Sequence, residues 1–335
     1  MPKRAVNPAV AELARQVAHS PSGQKPEGLL ILGGGFSGLR LGRALASQGI
    51  KVLLTQRTIK RGRDGTTVTV ANRPVEFEGL LRWLPFNGSA TDQSSLEGLD
   101  GISHLLSTIP PDAEGRDPAL TGLGRQLERL PLRWVGYLST TGVYGDHQGG
   151  WVDETTGTDH CRSRSRARVT AEREWQTRGW PLQRFRLPGI YGPGRCPFNS
   201  LRQGQARLIH KPGQSFSRIH VDDIAGAVLH NLLLTEEQRP AVLNVADGFP
   251  CPSSETLAFA AHLLNLKLPP FERYSDVAET LSAMAQSFWQ ENRRVCNRLL
   301  CQTLGYRLIH PTYREGFRAS LQEEQATEAA QAAAP

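Results

Sequence analysis

A chain of 335 residues with 39% apolar, 7% aromatic and 21% charged residues has a globular composition, large enough for one main domain and a smaller second lobe. It contains no run of about 18 apolar residues, which argues against a membrane-spanning helix. The net charge of +7 comes from basic residues dispersed among acids, without a reading motif, which argues against a nucleic-acid partner.

Residues 1–27 carry Pro2, Pro8, Pro21 and Pro26, little hydrophobic mass and no apolar segment of the secretory type. At most a short helix near Ala9–Ala18 is expected, within a disordered arm outside the fold. The five cysteines, Cys161, Cys196, Cys251, Cys296 and Cys301, are scattered and contain no C-x-x-C pair. Reduced thiols in a cytoplasmic compartment follow, with neither a disulfide framework nor a zinc site.

From Gly28 to Arg57 the pattern reads strand (Leu29–Leu32), glycine turn, helix from about Ser37 through Leu39–Ala46, and strand (Val52–Leu54). Gly33, Gly35 and Gly38 stand at G-x-G-x-x-G spacing. The first permits the tight turn, the second lets the backbone approach a pyrophosphate, and the third lets helix and strand pack closely. The helix start, with Phe36 and Ser37, offers N–H groups and a positive dipole end to phosphates. An NAD site usually has an acid about 20 residues past the glycines, whereas an NADP site has an arginine. Here Arg57 stands there, Lys60, Arg61 and Arg63 follow, and no acid occurs before Asp64. NADP is therefore expected over NAD, the alternative being that Arg57 opens a solvated basic loop.

Further strands are expected at Leu81–Pro85, Ile102–Ser107 and Trp134–Ser139, with a helix over Ala119–Leu130. This alternation implies a parallel, doubly wound α/β sheet with a Rossmann-type dinucleotide site at its carboxyl edge. Thr108, Ile109 and Pro110 lie in the loop after the Ile102–Ser107 strand and join the expected cofactor contacts.

The next loop contains Ser139-Thr140-Thr141-Gly142-Val143-Tyr144-Gly145-Asp146, then Asp153-Glu154-Thr155. Downstream follow Arg186-Leu187-Pro188-Gly189-Ile190-Tyr191-Gly192-Pro193-Gly194 and Arg218-Ile219-His220-Val221-Asp222-Asp223-Ile224-Ala225. With the glycine turn, these segments stand in the order found in the extended branch of the short-chain dehydrogenase/reductase superfamily, the nucleotide-sugar epimerases and dehydratases, which the chain resembles over about Gly28 to Phe317. The resemblance implies that Thr140 hydrogen-bonds the reacting oxygen and that Pro188 and Ile190 meet the cofactor. It also implies a Tyr-x-x-x-Lys pair on the next helix, but Cys161–Arg168 contains neither residue. Arg164 falls at the tyrosine position and Arg168 at the lysine position. Arginine cannot shuttle a proton near neutral pH, but Arg168 can donate to a ribose or phosphate and Arg164 to an anionic substrate. Four alternating arginines could equally coat an exposed helix start. Tyr144 is the candidate substitute acid, against the packing role beside the site that the resemblance implies for this tyrosine; His147 lies nearby, and Tyr191 and Arg218 are candidate substrate contacts.

The chain thus resembles the atypical branch, whose members are reductases using other residues or cofactor-binding sensors without turnover. Either an NADP-dependent oxidoreductase or epimerase/dehydratase-like enzyme, or a non-catalytic redox sensor, fits that pattern. The substrate is expected to be a small carbonyl compound or nucleotide sugar, and the resemblance implies a homodimer.

The dinucleotide domain is expected over residues 28–193 plus 218–248, and a mostly helical substrate lobe over 194–217 plus 249–322. Within these, Cys196–Gln205 reads as a short helix, Arg207–Phe216 as loop or strand, and Arg218–Leu234 as a strand end entering a helix capped by Asp222 or Asp223. His220 is expected to order that loop, and no metal site is expected because no second ligand has a fitting spacing. A further strand is expected at Ala241–Ala246, and helices at Ser253–Leu264, Ala278–Gln290 and Arg294–Leu304. Asn292–Asn297 resembles the lobe element that meets a substrate phosphate or carboxylate, making Arg293 and Arg294 candidates. The alanine-rich tail, 323–335, reads as frayed.

Overall fold

Seven short runs, most of them apolar, form one parallel sheet: β1 (Gly28–Leu32), β2 (Lys51–Gln56), β3 (Leu81–Pro85), β4 (His104–Ser107), β5 (Trp134–Thr140), β6 (Leu182–Leu187) and β7 (Val242–Asn244). Their spatial order is β7-β6-β5-β4-β1-β2-β3, the doubly wound arrangement with β1 and β4 at its switch point. The computed structural model describes residues 6–21, 25–57, 60–61, 67–68, 77–88, 96–112, 114–161 and 163–333.

All five residues of β1 are buried because both faces of the sheet are covered. The two-residue period sends Leu29 and Ile31 to one core and Leu30 and Leu32 to the other. The first core is closed by α1 (Pro8–Ala18), α2 (Phe36–Ala46) and α6 (Val221–Leu233). The second is closed by α3 (Pro118–Leu127) and α4 (Ser163–Gln176). α5 (Phe198–Arg202) and α7 (Ser253–Leu263) belong to a separate cluster built around Tyr191, Phe198, Tyr313 and Phe317.

Both ends of the chain depart from expectation. The segment expected to be an arm is helix α1, started by Pro8 and by Asn7, whose side chain accepts from Ala9 N at 2.9 Å. Val10, Ala14 and Val17 are fully buried on one stripe, and Asn7 Nδ2 donates to Asp222 at 3.0 Å. The short helix expected near Ala9–Ala18 is present, begun by proline at its first position, but it packs into the core instead of lying in an arm outside the fold. At the other end, α10 (Tyr313–Ala332) continues through the tail expected to fray. A Thr312/Glu315 capping box starts it, and Glu323 pairs with Arg40 on α2 at 2.7 Å.

Other departures lie in the lobe. Arg294–Val295 is not helical: it pairs in parallel with Trp151–Val152, leaving a helical turn only at Leu299–Thr303. The expected Ala278–Gln290 helix is a short turn followed by α9 (Ala283–Trp289), after a one-turn α8 (Tyr274–Val277). The cap of α6 is neither acid but His220, whose Nδ1 accepts from Asp222 N at 3.2 Å. The acids are claimed by tertiary partners instead. Asp223 accepts from Ile309 N (2.6 Å), His310 N (3.0 Å) and the Tyr306 hydroxyl (3.1 Å).

Candidate functional site at the carboxyl edge of the sheet

Because the sheet is parallel, the loops after β1, β4, β5 and β6 open on the same edge. After β1, Gly33 has φ +98° and its N–H donates to Thr55 Oγ1 at 2.9 Å, while the Thr108 hydroxyl donates to Gly33 O at 2.8 Å. A Cβ on Gly38 would lie 2.4 Å from Gly33 O and 2.9 Å from Ile31, so this glycine is what allows α2 to sit against β1. A Cβ on Gly35 would meet nothing within 4 Å. The three glycines thus have separate functions: turn, open approach and close packing. No side chain caps α2 and no acid lies in its first turn, which leaves its positive end open to an anion. At the ends of β2 and β4, Gln56 Oε1 and Ser107 Oγ are buried without a hydrogen-bond partner among the described residues. Arg57 is exposed at the end of β2, and Ile109 and Pro110 follow Thr108 at the end of β4, Pro110 exposed.

After β5, Thr140 Oγ1 accepts from Gly142 N at 3.1 Å and starts the turn Thr141–Tyr144. With that lone pair used, the hydroxyl proton is available to a ligand. Thr140, Pro188 and Arg218 line one cleft of about 400 Å³, together with Trp289, Glu291 and Arg293 from the lobe. The lobe segment is clamped there by backbone pairing. Asn292 N donates to Asp146 at 2.8 Å, Asn292 O accepts from His147 N and Gly149 N, and Gln214 Nε2 donates to Glu291 O at 2.8 Å. Arg293 Nη1 bridges Gly145 O (2.7 Å) and Glu291 Oε2 (2.8 Å).

Two sequence candidates do not reach this cleft. Tyr144 is fully buried, its hydroxyl donates to Asn244 Oδ1 at 2.7 Å, and the Arg186 guanidinium lies 4.8 Å from its ring centroid. Burial pushes its phenol above the usual value, the opposite of what a substitute acid needs. Tyr191 is 5% exposed in the lobe core, edge-on to His220 and Phe317, with its hydroxyl donating to Thr312 O at 3.3 Å. Ile190 packs beside the first core. Arg168 donates to Leu138 O (3.1 Å) and the Tyr137 hydroxyl (3.3 Å), at the end of the strand that carries Thr140. The Arg164 side chain lies outside the described residues. Glu291, Trp289 and the Ser215–Ser217 stretch were not anticipated, and only the neighbouring Arg293 carried a sequence signal.

Beneath the edge, Glu172 of α4 accepts from Ser139 Oγ at 2.5 Å and pairs with both ends of the Arg186 guanidinium (3.1 and 2.7 Å). This buried network ties α4 to β5 and β6. His220, Asp222 and His310 also converge, their ligand-type atoms lying within 4.8 Å of one another, a grouping that sequence spacing hid. Its atoms are engaged: Asp222 faces Arg40 at 2.8 Å and Asn7 at 3.0 Å, and His220 Nε2 meets Ser320 Oγ at 3.1 Å. Arg40 supplies the positive charge the carboxylate needs, and the group joins α1, α2, α6 and α10.

No protein-family model matches the chain. The curated Protein YeeZ of Escherichia coli K12 is 26% identical over 278 residues, covering 80% of this chain and 93% of YeeZ. Among solved structures, a functionally unknown conserved protein from Silicibacter pomeroyi is 43% identical with a TM-score of 0.75, covering 88% of this chain and 98% of that one. The UDP-glucuronic acid 4-epimerase of Bacillus cereus, solved with NAD, is 15% identical with a TM-score of 0.68 (89% and 98% covered). A human epimerase-family protein, solved with NADPH, is 16% identical with a TM-score of 0.62 (88% and 99% covered). The last two establish likeness of fold.

Proposed function

This chain belongs to one family with the Silicibacter pomeroyi protein and has the extended short-chain dehydrogenase/reductase fold of NAD(P)-binding epimerases, and on that premise we propose that it is an atypical, NADP-dependent oxidoreductase or epimerase/dehydratase-like enzyme. The observation that carries the reading is the convergence of Thr140, Pro188 and Arg218 on one cleft at the same sheet edge as the glycine turn.

The turn fits a dinucleotide: Gly35 faces open space, the α2 N-terminus has no side-chain cap, and Gln56 Oε1 and Ser107 Oγ are buried polar atoms without partners among the described residues. Gly33, Gly35, Phe36, Ser37 and Gly38 would hold the pyrophosphate. Thr108, Ile109, Pro110, Arg168, Pro188 and Ile190 would border the rest. Arg57, exposed at the end of β2, favours a 2′-phosphate over a bare ribose. When bound, the nicotinamide supplies a hydride acceptor or donor. Thr140 donates to the substrate oxygen, and Arg218 and Arg293 orient an anionic group of a carbonyl compound or nucleotide sugar. A cleft of about 400 Å³ suits a small molecule.

The missing Tyr-x-x-x-Lys pair and the buried Tyr144 favour a second reading, a redox sensor that binds NADP(H) without turnover. All five cysteines are free thiols, which supports a cytoplasmic compartment. We also propose a homodimer through the helices flanking α4.

A fluorescence titration tests the cofactor: NADPH should bind more tightly than NADH, and Arg57→Glu should remove that preference. Tighter NADH binding by the unaltered protein would overturn it. NADPH consumption with a carbonyl substrate, abolished by Thr140→Val, separates enzyme from sensor.

A further inference from the structure

We propose that Glu291 is the catalytic acid–base of the cleft, moving the proton that accompanies hydride transfer; this rests on reading the cleft as a hydride-transfer site. The helix that should carry the tyrosine has none, and Tyr144 and Tyr191 are buried with committed hydroxyls. Among the described residues lining the cleft there is no tyrosine, histidine, cysteine or lysine. The ionisable groups are Arg218, Arg293 and Glu291, and a guanidinium does not give up its proton. Glu291 alone can take and return one.

Its placement suits the role. Arg293 holds Oε2 at 2.8 Å and is itself anchored on Gly145 O, on the same loop as Thr140. Oε1 has no hydrogen-bond partner among the described residues. The side chain is 9% exposed, so it reaches the cleft while largely excluded from bulk water. In the oxidation direction Glu291 Oε1 would take the carbinol O–H proton and release it to solvent, Thr140 would hold the oxygen that becomes the carbonyl, and a bound nicotinamide would supply the acceptor for the C–H hydride. Reduction reverses each transfer.

The test follows NADPH oxidation by the full chain with 9,10-phenanthrenequinone as the carbonyl probe, beside NADPH fluorescence titrations. Glu291→Gln and Glu291→Ala should lower kcat by about 100-fold or more while NADPH affinity stays within about threefold, and added formate should restore part of the rate to Glu291→Ala. Retention of kcat in Glu291→Gln, or loss of NADPH binding along with the rate, would overturn the assignment of Glu291 while leaving the oxidoreductase reading in place. A wild-type protein that binds NADPH but does not reduce the quinone would overturn the oxidoreductase reading itself, and the role of Glu291 with it.

Discussion

A single added methyl group would act differently at two glycines of the same turn. Gly35 has φ −82°, which any residue adopts, and a Cβ there would point into open space. Gly35→Ala should therefore leave the melting temperature unchanged yet weaken NADPH binding about tenfold or more, an effect of about 1.4 kcal/mol, because the added methyl occupies the approach of the pyrophosphate. Gly38→Ala should instead lose stability. Its Cβ would stand 2.4 Å from Gly33 O, and overpacking of that kind costs about 1–3 kcal/mol. Equal binding losses at equal stability in both variants would contradict this division. Deeper in, Glu172→Ala leaves Arg186 buried without its bidentate partner and Ser139 without an acceptor. A loss of about 3–5 kcal/mol in urea unfolding is expected, since breaking one side of a buried pair strands the other charge.

At the scale of elements, α1 is part of the packing of the sheet. Val10 and Val17 are fully buried against the first core, and burial of one valine contributes about 1.5–3 kcal/mol, so deleting residues 1–20 should cost about 3–6 kcal/mol. An unchanged urea midpoint would mean that the helix does not hold the fold. The stripe Val10, Ala14, Val17 was present in the sequence, but so short an amphipathic segment means little until α2 and α6 provide a surface for it. β1 to β5 and α2 were legible because apolar runs, glycine spacing and the helical period agreed locally. Arg294–Val295 was read as helix because its strand pairing comes from Trp151–Val152, far away in the chain. The site divides similarly. Thr140, Pro188 and Arg218 sit in motifs with recognisable local patterns, whereas Glu291 becomes notable only when Arg293 and Gly145 bring it to the cleft. Tyr144 takes the packing role that its motif also implied, its hydroxyl committed to Asn244 within the core.

For the whole molecule, three buried groups set a distinctive response to pH. Burial pushes the Asp247 carboxyl up to about 7 and that of Asp223 up to about 6, against only partial relief from neighbouring N–H groups and, respectively, Arg218 and His310. Both hold protons in the folded state that the unfolded chain has already released above its ordinary carboxylate range. Their contribution is complete below about pH 3.8, the ordinary aspartate value, and is lost as pH rises from there through 6 and 7. His220 acts in the opposite sense: burial and the adjacent His310 hold it down to about 3, so the unfolded chain takes up the proton first and stability falls as pH drops below about 6.5. Asp247 offers the clean test because its Oδ2 is buried without a partner among the described residues, while Oδ1 accepts from Phe249 N at 3.2 Å, a bond an asparagine carbonyl can keep. Asp247→Asn imitates the protonated acid. It should match the wild type in thermal melts near pH 3 and exceed it near pH 8, by an amount on the order of a few kcal/mol, since each tenfold weakening of an acid by folding corresponds to about 1.4 kcal/mol. A variant less stable than wild type at pH 8 would show that the ionised carboxylate is compensated in the folded protein, with Arg218 as the group that does so.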